Sequence, residues 1–168
     1  MSEIENYYIQ IRKKHGYSRD KASELMDTIS PEKLEKIENG KQEANPADIM
    51  EMADAYQEPA IRNYYCAHDC PMGKFFVPEI KLKELEVTVL HMLSSLNSMN
   101  AMKERLIDIS KDGRIDDHEI GDFVRMQKEL ERITLAADSM MLWTETMMNM
   151  GAINMEKYNE LIESYEEE

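Results

Sequence analysis

The sequence predicts an all-α protein, and three observations predict it. Strong helix formers (Glu, Lys, Met, Leu, Ala) dominate, and only 6 Gly and 5 Pro interrupt the 168 residues. Runs of alternating β-branched residues, the mark of half-buried strands, are absent. Hydrophobic residues at 42% and charged residues at 32% describe a globular chain, not a disordered one. A chain of this length can bury a core without disulfides or metal, as one domain or two small ones.

The elements follow in order. Apolar Tyr8 and Ile11, between Glu5 and His15, suit a first helix that Gly16 ends, with Tyr17 just beyond. Ser18 is placed to cap a second helix that begins with Lys21, Ala22 and Leu25. Asp27-Thr28 makes a turn. Ser30-Pro31 opens a third helix in the favoured order, cap residue and then Pro at the first helical position. Leu34 and Ile37 give that helix its buried face, and Asn39-Gly40 closes it. Pro46 starts a fourth helix carrying Ile49, Met50, Met52, Ala53 and Tyr56, and Pro59 a short fifth that runs through Ile61 to about Cys66.

After Pro78 the pattern changes. Leu82, Leu85, Val89, Met92, Leu96, Met99 and Leu106 follow a 3-4 alternation that breaks at Lys103. Phe123, Met126, Leu130, Ile133, Ala137, Met140 and Met147 repeat it. Each stretch holds roughly 30 residues, or about 45 Å of helix. A third segment after Gly151 aligns Met155, Tyr158, Leu161, Ile162 and Tyr165 on one face. The expected architecture is therefore a five-helix head over residues 1–75 and, over 76–168, a long antiparallel helical hairpin with a short third helix.

Leu90, Leu93, Val124, Leu135, Met141 and Trp143 lie beside the hairpin seam, more than two helices can hide. Two arrangements would cover them: a homodimer through residues 78–165, or the third helix and the head of the same chain. Met140, Met141, Met147, Met148 and Met150 cluster here, and such a run suits either an adaptable groove for a partner helix or a Met-rich core.

The stretch from Arg19 to Cys66 carries Ala22-Ser23-Glu24, the Ser30-Pro31 opener and Ile37-Glu38-Asn39-Gly40 at matching apolar spacing. On these residues it resembles the XRE-type (phage repressor-like) helix-turn-helix family. The continuation Asn63 to Lys74 looks like a subgroup common in anaerobic Gram-positive bacteria. The resemblance implies that the second helix props the third, whose exposed residues meet a major groove. It implies DNA contacts from Ser18, Arg19, Ser30, Lys33, Lys36, Asn39 and Lys41, a double-stranded DNA partner, and action as a dimer on paired half-sites.

Two features depart from the family pattern. Asp27-Thr28 stands where a single Gly is common, and the third helix carries Glu32, Glu35 and Glu38 beside Lys33 and Lys36. Carboxylates can accept from cytosine but are repelled by phosphate. The net charge of -14 divides into -4 over residues 1–74 and -10 over 75–168, so most acidity lies outside the head. A protein–protein interaction module that keeps the fold without the DNA contacts is the alternative.

Asp108, Ser110, Asp112, Arg114, Asp116 and Glu119 occupy the ligand positions of an EF-hand loop, with Gly113 at the sixth place and Ile115 at the eighth. On that pattern the loop resembles the EF-hand family, which implies Ca²⁺ as a ligand. The same residues make a capped helix–helix turn, and the sequence leaves both readings open. Cys66, His68 and Cys70 are close in sequence, but their spacing is wider than a common zinc knuckle and no fourth ligand is evident. No nucleophile elbow, phosphate loop, dinucleotide fingerprint or H-E-x-x-H is present, so no enzyme and no resident cofactor are expected. Without an export signal or a ~20-residue apolar span, the expected location is the cytoplasm, with both cysteines reduced.

Overall fold

The computed structural model describes residues 6–81, 85–111 and 114–166. Glu5, Leu82, Asp112 and Gly113, named above, lie outside them. The described residues form helices joined by turns, without a strand. None of these helices is long and apolar enough to cross a membrane.

The head begins with α1 (Tyr7–Lys14), α2 (Arg19–Ser23), α3 (Pro31–Glu38), α4 (Pro46–Ala55) and α5 (Ala60–His68). Each of the first four starts on a side-chain cap. Asn6, Ser18 and Ser30 accept from backbone N–H groups of Tyr8, Lys21 and Lys33. Asn45 and Asp48 cap α4 reciprocally. Such caps satisfy N–H groups that a helix cannot pair internally, and each stabilises by about 1 kcal/mol. Gly16 and Gly40 end α1 and α3 at φ +71° and +65°, a conformation that side chains disfavour.

The core of the head joins Tyr8 and Ile11 of α1 to Ala22, Leu34, Ile37, Ile49, Met52, Tyr56 and Ile61. Two expectations change here. The second helix stops at Ser23, and Leu25 is exposed, while Met26 and Ile29 from the turn fill the core in its place. Met50 faces solvent, one residue round the helix from buried Ile49. Tyr64 of α5 stacks on Tyr7 with centroids 3.9 Å apart, tying the fifth helix to the first.

A further short helix, α6 (Gly73–Phe76), follows α5. The sequence reading did not foresee it, because four residues carry no periodic signal. A Cβ at Gly73 would lie 2.1 Å from the Cys66 carbonyl oxygen, so only Gly permits this approach.

Contacts divide the chain into two units, residues 1–79 with 145–168, and residues 80–144. The end of α9 (Ile120–Asn149) and α10 (Met155–Glu166) thus group with the head, whereas the sequence reading assigned everything after residue 75 to one domain. A hydrogen-bonded ion pair joins Arg62 of α5 to Glu145.

In the unit 80–144 the first long stretch is two helices, α7 (Leu85–Ala101) and α8 (Lys103–Ser110), broken at Met102. The break falls beside Lys103, where the apolar repeat loses its residue. Arg105 of α8 donates to Asp122 of α9 at 2.8 Å. The seam departs from the expected one in part. On α7 Leu85, Val89, Met92 and Met99 are half-buried as the spacing implies, but the buried positions are Thr88 and Ser95, and Leu96 is exposed. On α9, Met126, Glu129 and Ala136 are buried and Leu130 is exposed. A helix with apolar residues around most of its circumference does not fix its own rotation; its packing partners do.

Candidate nucleic-acid interface

What α3 can present outward is fixed by what its inner face holds. On α3 the inner positions are Leu34, Ile37 and Glu38, at the i, i+3, i+4 spacing of one helical face. Burying a carboxylate requires charged partners, because an unpaired ion loses its hydration. Glu38 has two. Its oxygens accept from Arg12 Nε at 2.5 Å and Nη2 at 2.9 Å, and from Arg19 Nε at 2.8 Å. Arg12 also donates to the Tyr17 carbonyl at 2.7 Å. One charged cluster therefore ties α1, α2 and α3 together.

Lys33 is held in a similar way. Its ammonium lies 2.5 Å from Asp48 Oδ1, whose carboxyl is buried in the capping box of α4. Two of the seven expected DNA contacts, Arg19 and Lys33, thus engage intramolecular carboxylates. Ser18, Ser30, Lys36, Asn39 and Lys41 remain exposed.

The outward face of α3 presents Glu32, Glu35, Lys36 and Asn39. A hydrogen bond from Ser30 holds the Glu32 carboxyl below the ordinary carboxylate range. The same hydroxyl oxygen accepts from the Lys33 N–H at 3.2 Å. The groove beside the turn adds Asp20, Glu24 and Asp27, with Thr28 and Ser30 between. Thr28 donates from its N–H and its hydroxyl to Glu51, which fixes the turn against α4. Cation, amide and hydroxyl donors therefore alternate with carboxylates across the face, so it can donate to base edges or phosphate at Lys36, Asn39 and Lys41 and accept at Glu32 and Glu35.

Sequence reasoning missed Arg12 and Asp48 and took Glu38 as an outward acid. The signal was present, since Glu38 shares the spacing of Leu34 and Ile37. A carboxylate on an apolar face points to a buried cation partner.

The other candidate residues are placed as follows. Asp108 and Ser110 lie on the last turn of α8, with Asp108 paired to Lys111 and the Ser110 hydroxyl donating to the Ile107 carbonyl. The Lys111 ammonium holds the Asp108 carboxyl below its usual range. Arg114 and Asp116 are exposed, and Glu119 accepts from the Asp116 N–H at 3.2 Å in the turn before α9. Among the described residues, Asp116, His118 and Glu119 bring ligand atoms within 4.8 Å of one another, and Asp108 is not in that group. His68 stacks on Tyr64 and turns Nε2 to Glu79 at 3.5 Å, while Cys70 Sγ accepts from the Gly73 N–H at 3.4 Å. No described metal-ligand group includes Cys66, His68 and Cys70. Burial raises the pKa of the Cys66 thiol, with Cys70 adding to it.

This arrangement, a capped pair α2–α3 on a small helical core, defines a helix-turn-helix head. Residues 9–60 match the Helix-turn-helix family model, so this part of the head is similar to XRE-type helix-turn-helix domains. The match spans just under a third of the chain. No curated protein and no solved structure is significantly similar to the whole sequence.

Proposed function

We propose that the protein is a sequence-specific DNA-binding regulator that acts as a homodimer, with α3 in the major groove and no chemistry of its own. The observation that carries this reading is the family match over residues 9–60, joined to an exposed row of Lys36, Asn39 and Lys41 on and just beyond α3. Dimerisation through residues 78–165 would cover Leu90 and Leu93, which stand exposed on α7.

A second reading, a protein-contact module on the same fold, has its own support. Lys33 and Arg19 engage carboxylates, and Glu32 and Glu35 face outward where phosphates would approach.

Fluorescence anisotropy with random duplexes separates the two. Lys36→Glu with Lys41→Glu is the informative variant, because both side chains are exposed and a change at Lys33 would disturb Asp48. Binding that weakens with salt and is lost in the variant supports the regulator. No binding at ~25 mM salt, where phosphate attraction is little screened, favours the protein-contact reading. For the dimer, Leu90→Glu with Leu93→Glu should halve the mass seen in sedimentation equilibrium.

A further inference from the structure

The head contains a cleft of about 190 Å³ beside the C-terminal end of α3. Its walls include Tyr8 of α1, Ile37 and Gly40 at the end of α3, Glu43, and Tyr65, Asp69 and Lys74 from the α5–α6 region. This is smaller than the ~300–1,000 Å³ of sites that enclose drug-sized molecules, so its size suits a small metabolite.

Its charges are set for a ligand with both signs. The Lys74 and Glu43 side chains make no hydrogen bond or ion pair among the described residues. Asp69 accepts from the Tyr8 hydroxyl through Oδ2 at 2.5 Å, which fixes the carboxylate and leaves Oδ1 available. Glu43 and Tyr65 both line the cleft, so a carboxylate and an aromatic wall face the same space. Two carboxylates against one ammonium give the lining a formal charge of -1. An ammonium beside the Tyr faces would gain from their negative π surface as well.

We propose that this cleft binds a free basic α-amino acid, with its carboxylate on Lys74 and its two ammonium groups on Glu43 and Asp69. Net charge +1 on the ligand matches -1 on the lining, whereas an acidic amino acid is repelled. The proposal concerns binding alone and does not rest on the DNA reading.

Isothermal titration calorimetry of the full chain tests it, using L-lysine, L-glutamate and cadaverine, which is lysine without its carboxylate. L-lysine should bind saturably, and glutamate and cadaverine at least tenfold more weakly. Glu43→Gln and Lys74→Met, both at exposed positions outside the core, should each weaken lysine at least tenfold. Lys74→Met should not weaken cadaverine, which has no carboxylate for Lys74 to hold and gains from the loss of a positive charge. Absence of saturable lysine binding overturns the proposal, as does cadaverine binding as tightly as lysine. Lysine affinity unchanged in both variants also overturns it.

Discussion

Lys33 on α3 and Asp48 on α4 form an ion pair of 2.5 Å, and the carboxylate is the same one that caps α4. The pair therefore does two things: it removes a cation from the outer face of α3, and it ties α3 to α4. Asp48 Oδ2 accepts from the Asn45 N–H at 3.2 Å while Oδ1 takes Lys33, so both oxygens are used.

Replacing Lys33 by Ala should destabilise the head by about 1–3 kcal/mol, because a buried carboxylate is left without its charge partner. The Lys33 side chain is 26% exposed, which keeps the loss below that of a fully enclosed pair. A double-mutant cycle with Asp48→Asn, read by urea denaturation, should show coupling between the two positions. Strictly additive losses would contradict the pairing.

Glu38→Gln should be more costly. The amide keeps the shape but leaves the Arg12 and Arg19 guanidinium groups facing a neutral partner inside the head. Loss of about 3–5 kcal/mol is expected from removing one member of a buried charge cluster. Thermal melts of the variant beside Glu35→Gln, an exposed neighbour, check this; equal melting temperatures would contradict it.

Alkaline stability should follow the tyrosines. Burial, with the Glu58 charge adding to it, raises the Tyr7 phenol to about 12, whereas an unfolded phenol ionises near 10. Between these values the folded protein keeps a proton that the unfolded chain has released, so stability falls as pH rises. Its contribution is complete below pH 10 and gone above 12. Tyr8 and Tyr56 are raised by burial too, so they act in the same direction. Melting temperature measured from pH 8 to 12 should decline beyond pH 10, and less steeply in Tyr7→Phe.

Gly73→Ala and Gly121→Ala should move stability in opposite directions. At Gly73 the new methyl would meet the Cys66 carbonyl, so backbone must shift, at a cost of about 1–3 kcal/mol. At Gly121, in the first turn of α9, nothing lies within 4 Å, and Ala should stabilise by up to ~1 kcal/mol through helix propensity. Paired denaturation curves compare them directly.

Much of the head was legible in its residues. The cap residues Ser18 and Ser30, the Pro openers at 31 and 46 and the stops at Gly16 and Gly40 mark boundaries by local chemistry, and the structure keeps them. Local rules worked because capping and left-handed turns depend only on neighbours within one or two helical turns. The α2–α3 turn was harder. There Met26 and Ile29 displace Leu25 from the core by a tertiary preference that no periodicity announces.

The candidate interface was legible in outline and not in detail. The sequence marks out a run of Lys, Arg and Asn around a third helix, but it cannot tell an outward cation from one bound to a buried acid. Lys33 and Lys36 look alike along the chain, and only the approach of α4 assigns Lys33 to Asp48.

By itself, then, the sequence determined the helical class, the capped order of the head and its helix-turn-helix character, because those follow from local propensity and short-range spacing. Tertiary structure alone decided that Glu38 points inward to two arginines, that Thr88 and Ser95 are buried while Leu90 is exposed, and that Tyr8, Asp69 and Lys74 share one cleft. Each of these depends on groups distant in the chain, where burial and charge pairing outweigh the preference of any single segment.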